Sequence, residues 1–172
     1  EALANLGGVL HQQGRNPEAI PLLDEAVSLD PVHPIGHWNR GLCYLQTRRW
    51  AEGWADYDYG YLARERKIVG HVNHCREWLG EPLNGKSIVV WGEQGIGDEI
   101  LFASCIPPMC ETAGRVVLDC HPRLRPIFDR SFPDAECIGR RKEIQSEWDL
   151  GARLDFQCPI GSLPRFFLAD DK

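Results

Sequence analysis

The sequence predicts an α + α/β chain: paired helices over the first third, then a parallel sheet with helices on its faces. Three observations predict it. Small and large residues recur with a period of 34 between residues 7 and 60, too long for one helix turn and suited to a repeated pair of helices. Downstream, short β-branched runs, "SIVVW" (87–91) and "RVVLDC" (115–120), alternate with stretches of helical spacing. Between the two regimes, from Arg64 to Gly85, both periodicities fade, and Trp78, Gly80, Pro82 and Gly85 give the composition of a connector.

The repeat is legible in equivalent pairs: Gly7 and Gly41, Leu10 and Tyr44, Ala19 and Gly53, Leu23 and Tyr57, Ala26 and Gly60. Their spacing is that of a tetratricopeptide repeat, in which small residues let two antiparallel helices approach and large ones fill the gaps. "NLGGVLHQQG" with "NPEAIPLLDEAVSLDP" supplies one complete unit. Asn16 is placed to cap its second helix with Pro17 at the first position, and Pro31 closes the unit. The second unit departs from the pattern, with Gly53 and Gly60 where alanines are expected and Glu65 where a closing proline would fall. Helical hairpins are therefore expected from residue 2 to about 63. Trp38, Trp50, Trp54, Tyr57 and Tyr61 are read as packing residues rather than a ligand box.

After the connector, "SIVVW", "DEILFASCIPPMCETAG" and "RVVLDC" form strand, helix, strand, despite Pro107 and Pro108. "PRLRPIFDRSF" reads as a second helix with a proline near its middle, "AECIG" as a third strand and "LDFQCPIG" as a fourth. Such alternation implies parallel strands, with 87–91 central and beside 115–120.

The bulk composition bounds the function. A net charge of -6 and a pI near 5.5 oppose a nucleic-acid partner, whose affinity comes from clustered cations on phosphates. No apolar run approaches the roughly 20 residues of a membrane helix. The seven cysteines show no CxxC pair or framework spacing, which fits reduced, buried thiols in the cytoplasm. The chain opens at Glu1 with helical sequence already under way and stops at "FFLADDK", so both ends read as cuts from something longer.

The most informative stretch is "WGEQGIGDEILF" (91–102), three glycines and three acids where a strand turns into a helix. A phosphate-binding P-loop fails, because Gly97 is followed by Asp98 and Glu99 rather than Lys and Ser or Thr. A dinucleotide fingerprint is closer, with Asp119 at the end of the next strand, but Ile100 takes the third glycine position. Asp98 and Glu99 would also oppose a pyrophosphate at the helix start. In the third reading the acids are the point. Gly95 and Gly97 would allow a sharp turn out of the strand, presenting Asp98 at the sheet's carboxyl edge to a hydroxyl. On the residues alone, an Asp98 that merely caps its helix stands beside this reading.

The blocks "WLGEPLNGKSIVVWGEQGIGDEILFAS", "VVLDCHPRLRPIFDRSFP" and "CPIGSLP" resemble bacterial proteins in which tetratricopeptide repeats precede a glycosyltransferase-like domain. That domain is related to the ADP-heptose:lipopolysaccharide heptosyltransferases of glycosyltransferase family 9. The resemblance implies a two-lobed GT-B fold of Rossmann-like lobes, of which this chain carries the N-terminal, acceptor-side lobe. It places repeats at 1–67, a connector at 68–85 and the lobe, truncated, at 86–172. It also implies Asp98 as general base, Gly95 and Gly97 shaping the loop, Glu93 and Gln94 lining its mouth, and Ser162 at a neighbouring strand edge near the cleft. The nucleotide-sugar would be a donor substrate held mainly by a C-terminal lobe absent from this sequence, with no other cofactor. The acceptor would be a glycan or protein, and the repeats would hold a protein or peptide.

Other constellations are weaker. "HVNHC" (71–75) has zinc-type ligands without a second pair at finger or ribbon spacing. Arg123 and Arg125 follow a strand end and could meet phosphate or an acidic sugar, against the simpler reading of solvated surface arginines. The rival function is a non-enzymatic interaction module whose repeats hold a partner and whose α/β part lacks transferase activity.

Overall fold

The computed structural model describes residues 1–66, 75–139 and 154–169. The chain divides into two compact units, one built on residues 1–67 and the other on residues 68–167.

The first unit is two helical hairpins: α1 (Ala2–Gln12), α2 (Asn16–Leu29), α3 (Pro34–Gln46) and α4 (Trp50–Tyr57), the last followed by a 3₁₀ turn at Asp58–Gly60. Leu10, Ala19, Leu23 and Cys43 form its core, so the first hairpin and α3 share one apolar cluster. The small repeat positions are small because helices cross there. A Cβ on Gly7 would lie 2.5 Å from Leu23 Cγ, and one on Gly41 would lie 2.9 Å from Asp56 Cβ and 3.1 Å from the Gly53 carbonyl oxygen. The repeat extends to backbone detail: Gly14 (φ 75) and Arg48 (φ 63) turn the two hairpins in the same left-handed conformation.

Asn16 differs from its expected role. It is the first residue of α2 and makes no capping bond. Its side chain meets His11 Nδ1 at 2.9 Å and donates to Gln46 Oε1 at 2.6 Å, tying the first hairpin to α3. The second hairpin is also closed differently. A Cβ on Gly60 would meet Trp38 at 2.6 Å and Arg66 Cδ at 2.8 Å, so glycine replaces the alanine of the first repeat to admit these two side chains. Buried Arg66 donates to Asp58 Oδ1 at 2.9 Å and Tyr61 Oη at 2.8 Å, and its guanidinium stands over the rings of Tyr57 and Tyr61. Aromatic faces and a carboxylate thus satisfy a cation near the place where a proline is expected.

A polar network joins three helices of this unit. Asp56 of α4 accepts from Arg40 Nε at 2.6 Å and contacts His37 Nδ1 at 2.7 Å. Arg40 reaches Asp24 of α2 at 3.2 Å, and Tyr44 donates its hydroxyl to Asp24 at 2.7 Å. The His37 ring stacks on Tyr59 with centroids 3.8 Å apart.

The second unit is a five-stranded sheet of β1 (Arg76–Glu77), β2 (Ser87–Trp91), β3 (Arg115–Cys120), β4 (Ala135–Gly139) and β5 (Phe156–Pro159), in the order β1-β5-β2-β3-β4. Every pairing is parallel, and β2 is central beside β3, as the alternation of elements predicts. Ile88, Val89 and Val90 are fully buried, which requires cover on both faces of the strand. The stretch expected as a connector contributes more than a link: Cys75 belongs to the sheet's apolar cluster and Arg76–Glu77 add an edge strand. Trp78 packs on Phe166 with centroids 4.4 Å apart and donates its indole N–H to the Glu81 carbonyl.

The helix expected between β2 and β3 is broken into α5 (Ile96–Phe102), a 3₁₀ turn (Ala103–Cys105) and α6 (Ile106–Thr112). Pro107 and Pro108 are the reason. Prolines lack the N–H that a helix interior needs, so a new helix starts where they occupy first-turn positions. The same logic moves the next helix, α7 (Arg125–Ser131), so that Pro126 lies at its start and not its middle. After β5 the chain enters a 3₁₀ turn at Ile160–Ser162 and a short helix α8 (Pro164–Phe167).

Candidate functional site

The carboxyl edge of the sheet is level at its centre: Trp91 of β2 is in register with Asp119 of β3 and Pro159 of β5. The chain leaves β2 at Gly92, whose N–H donates to the Asp119 carbonyl at 2.7 Å. The turn itself falls on Gln94, which is exposed and left-handed at φ 61. This corrects the expectation for Gly95 and Gly97. Gly95 is extended at φ -131 and ψ 171 as the residue preceding α5, and Gly97 lies within α5, where an added Cβ would meet open space. The glycine with a steric role is Gly92, where a Cβ would fall 2.5 Å from the Glu99 carboxyl carbon.

The two glutamates of the stretch point inward. Glu93, expected at the mouth of the loop, is 0% exposed, and its Oε1 accepts from Gly161 N at 3.1 Å. Glu99 is 1% exposed, and its Oε2 accepts from His121 N at 2.7 Å. One carboxylate therefore grips the turn after β5 and the other the turn after β3. Burying a carboxylate is costly unless donors compensate it, and backbone N–H groups at strand ends are such donors. Ser162, expected near the cleft, is buried in the same 3₁₀ turn whose Gly161 meets Glu93.

Asp98 is half-buried in the first turn of α5. Its Oδ2 accepts from Gly95 N at 3.0 Å, which is half of a capping box, because Gly95 has no side chain to return the bond. Its Oδ1 makes no hydrogen bond among the described residues. The carboxylate thus holds its own helix start with one oxygen and leaves the other open. One N–H at the head of α5, that of Gly95, is taken by this carboxylate, and three further carboxylates, Glu93, Glu99 and Asp119, belong to the same edge, an arrangement that opposes a bound pyrophosphate.

Other groups nearby are less reactive. Burial, followed by Cys137, Glu99 and Asp119 as neighbours, pushes the Cys120 thiol up to about 12. Arg125 lies 3.5 Å from Asp129 on α7, and Arg123 is exposed with its N–H directed to His121 Nδ1 at 3.2 Å. His71 and His74 lie outside the described residues, and no group of three metal-ligating side chains is found among the described ones. The roles of Gly92 and Glu99 escaped the sequence reading, because a steric vacancy filled seven positions downstream has no local signature.

Comparison with known proteins is informative for the first unit. A TPR repeat is matched over residues 7–47, which points to protein partners for the helical hairpins. Protein FlbA of Caulobacter vibrioides is 31% identical over 105 residues, covering 59% of this chain and 18% of that protein. The match therefore spans less than a fifth of its length. No solved structure matches the chain. Among the described residues no helix is long and apolar enough to cross a membrane.

Proposed function

We propose that this chain is the acceptor-side part of a tetratricopeptide-linked glycosyltransferase related to the heptosyltransferases, working in the cytoplasm on a glycan or protein acceptor. The observation that carries the reading is Asp98: a half-buried carboxylate with one open oxygen, at the carboxyl edge of a parallel sheet beside its central strand. That edge is where open α/β sheets bind ligands. The acceptor hydroxyl gives its proton to Asp98 Oδ1 as its oxygen bonds to the anomeric carbon of a nucleotide-sugar. The bond from that carbon to the nucleoside diphosphate breaks, and the diphosphate leaves with the electron pair. Gln94, exposed on the same loop, lies on the acceptor's approach. Glu93 and Ser162 lie behind it. A second lobe supplies the donor contacts, and the repeats hold a protein or peptide.

Asp98→Asn in the full-length protein tests this. Asn still offers an oxygen to Gly95 N, so the helix start is kept while the proton acceptor is lost. Turnover should fall by about 10²- to 10⁴-fold. Near wild-type turnover of a purified, folded variant would leave Asp98 as a cap only. The second reading, a non-enzymatic interaction module, is supported by the repeat match. It requires that the full-length protein bind its partner and show no transfer with any nucleotide-sugar.

A further inference from the structure

We propose that Glu93 and Glu99 are positioning residues: a pair of buried carboxylate ties that suspend the 92–98 loop between the ends of β5 and β3, and so set where Asp98 stands. The proposal rests on the reading of Asp98 given above.

Geometry carries it. The loop leaves the central strand, and its two glutamates reach in opposite directions across the sheet. Glu93 takes Gly161 N at 3.1 Å after β5, and Glu99 takes His121 N at 2.7 Å after β3. The parallel order β5-β2-β3 makes those two turns the flanking neighbours of the loop. Glu99 is the residue next to Asp98 on α5, so where its carboxylate is anchored sets the rotation and height of the helix's first turn. Its seat exists only because Gly92 has no side chain, the space of a Gly92 Cβ being held by the Glu99 carboxyl group at 2.5 to 2.7 Å. Asp98 then takes Gly95 N at 3.0 Å. The chain of contact runs from the β3 turn through Glu99 to Asp98, and from the β5 turn through Glu93 to Gln94 and Gly95. A carboxylate accepts such a bond without offering a competing donor, so both ties have one sense.

The test uses the full-length protein labelled with [15N]glycine, because the Gly95 amide reports its bond to Asp98 without any substrate. Four variants are compared: Gly92→Ala, Glu99→Ala, Gly92→Ala with Glu99→Ala, and Glu93→Ala. A fifth, Asp155→Ala, removes an exposed carboxylate that bonds Ser87 at the opposite end of β2 and serves as a destabilised control.

The Gly95 resonance should move in Gly92→Ala, Glu99→Ala and Glu93→Ala, should move no further in the Gly92→Ala with Glu99→Ala variant than in either alone, and should stay in place in Asp155→Ala. Glu93→Gln and Glu99→Gln, which keep an acceptor oxygen, should restore it. With transfer measured, Gly92→Ala should lower kcat by about 10²-fold, the scale of a misplacement of about 1 Å, with donor KM little changed. A Gly95 amide that stays at its wild-type position in Gly92→Ala and Glu99→Ala, while the melting temperature falls, would make the glutamates structural only and overturn the proposal. Because the amide readout needs no turnover, this failure is separate from that of the Asp98 reading, which Asp98→Asn alone decides.

Discussion

Removing Asp56 from the helical unit should cost far more than removing Asp24, although both carboxylates contact the same guanidinium. Asp56 is 8% exposed at its side chain and Arg40 18%, at 2.6 Å, and His37 meets the same carboxylate at 2.7 Å. Asp56→Ala therefore leaves a largely buried cation and an imidazole without their shared partner. Loss of one member of a buried pair costs about 3–5 kcal/mol. Arg40 keeps Asp24 and some access to water, which places the expected cost near 3 kcal/mol. Asp24 is 46% exposed and lies 3.2 Å from Arg40, and its loss costs about 1 kcal/mol, mostly from the Tyr44 hydroxyl left without its acceptor. Urea unfolding followed by far-ultraviolet circular dichroism separates the two. With m of about 1–3 kcal/mol/M, Asp56→Ala should move the midpoint down by about 1–3 M and Asp24→Ala by a third of that. Asp56→Asn, which keeps one acceptor oxygen and adds a misplaced donor, should fall between them. Equal costs for the two alanine variants would refute the argument that the Asp56 carboxylate joins α3 to α4 through burial.

Three further outcomes follow from the same geometry. Arg48 adopts the left-handed turn that Gly14 adopts in the first repeat, so Arg48→Gly should stabilise the helical unit by about 0.5–1 kcal/mol, and a lowered urea midpoint would contradict it. Gly114→Ala should destabilise by at least about 1–3 kcal/mol, because its Cβ would fall 2.0 Å from the Gly85 carbonyl oxygen, which as backbone cannot swing away. Gly97→Ala, with open space at its Cβ, should be neutral or stabilising by up to about 1 kcal/mol; equal effects of these two substitutions in thermal melts would sink the reasoning. Burial raises the thiols of Cys43, Cys105 and Cys137 to about 11 and that of Cys120 to about 12, whereas Cys110 is raised but only half-buried. Alkylation at about pH 8 should therefore modify Cys110 first and the buried thiols only on unfolding, since the thiolate is the nucleophile. Rapid labelling of several thiols in the folded chain would show that burial does not protect them.

The class of most elements was legible in the sequence, though not the edge strand Arg76–Glu77 or the break between α5 and α6. Period 34 in residues 7–60 and the β-branched runs at 87–91 and 115–120 reflect local constraints, close helix crossings and buried strands, and these leave their mark on neighbouring residues. The parallel order with β2 central followed from alternation, because parallel strands need crossovers. Tertiary structure decided what depends on residues far apart in the chain. Asn16 looks like a cap because Asn before Pro usually is one, yet a Gln46 acceptor thirty residues on draws its side chain across to α3. Gly95 and Gly97 look like the hinge of the loop because glycine tolerates any φ, yet the chain turns at Gln94, and the glycine that matters sterically is Gly92. In sequence Glu93 reads as a residue of the loop mouth and Glu99 as an acid of the helix start. Only the sheet order, which sets the turns after β5 and β3 on either side of them, supplies the backbone donors that make their burial affordable. Propensity acts over a few residues, whereas the partner that satisfies a buried polar group is chosen by the fold.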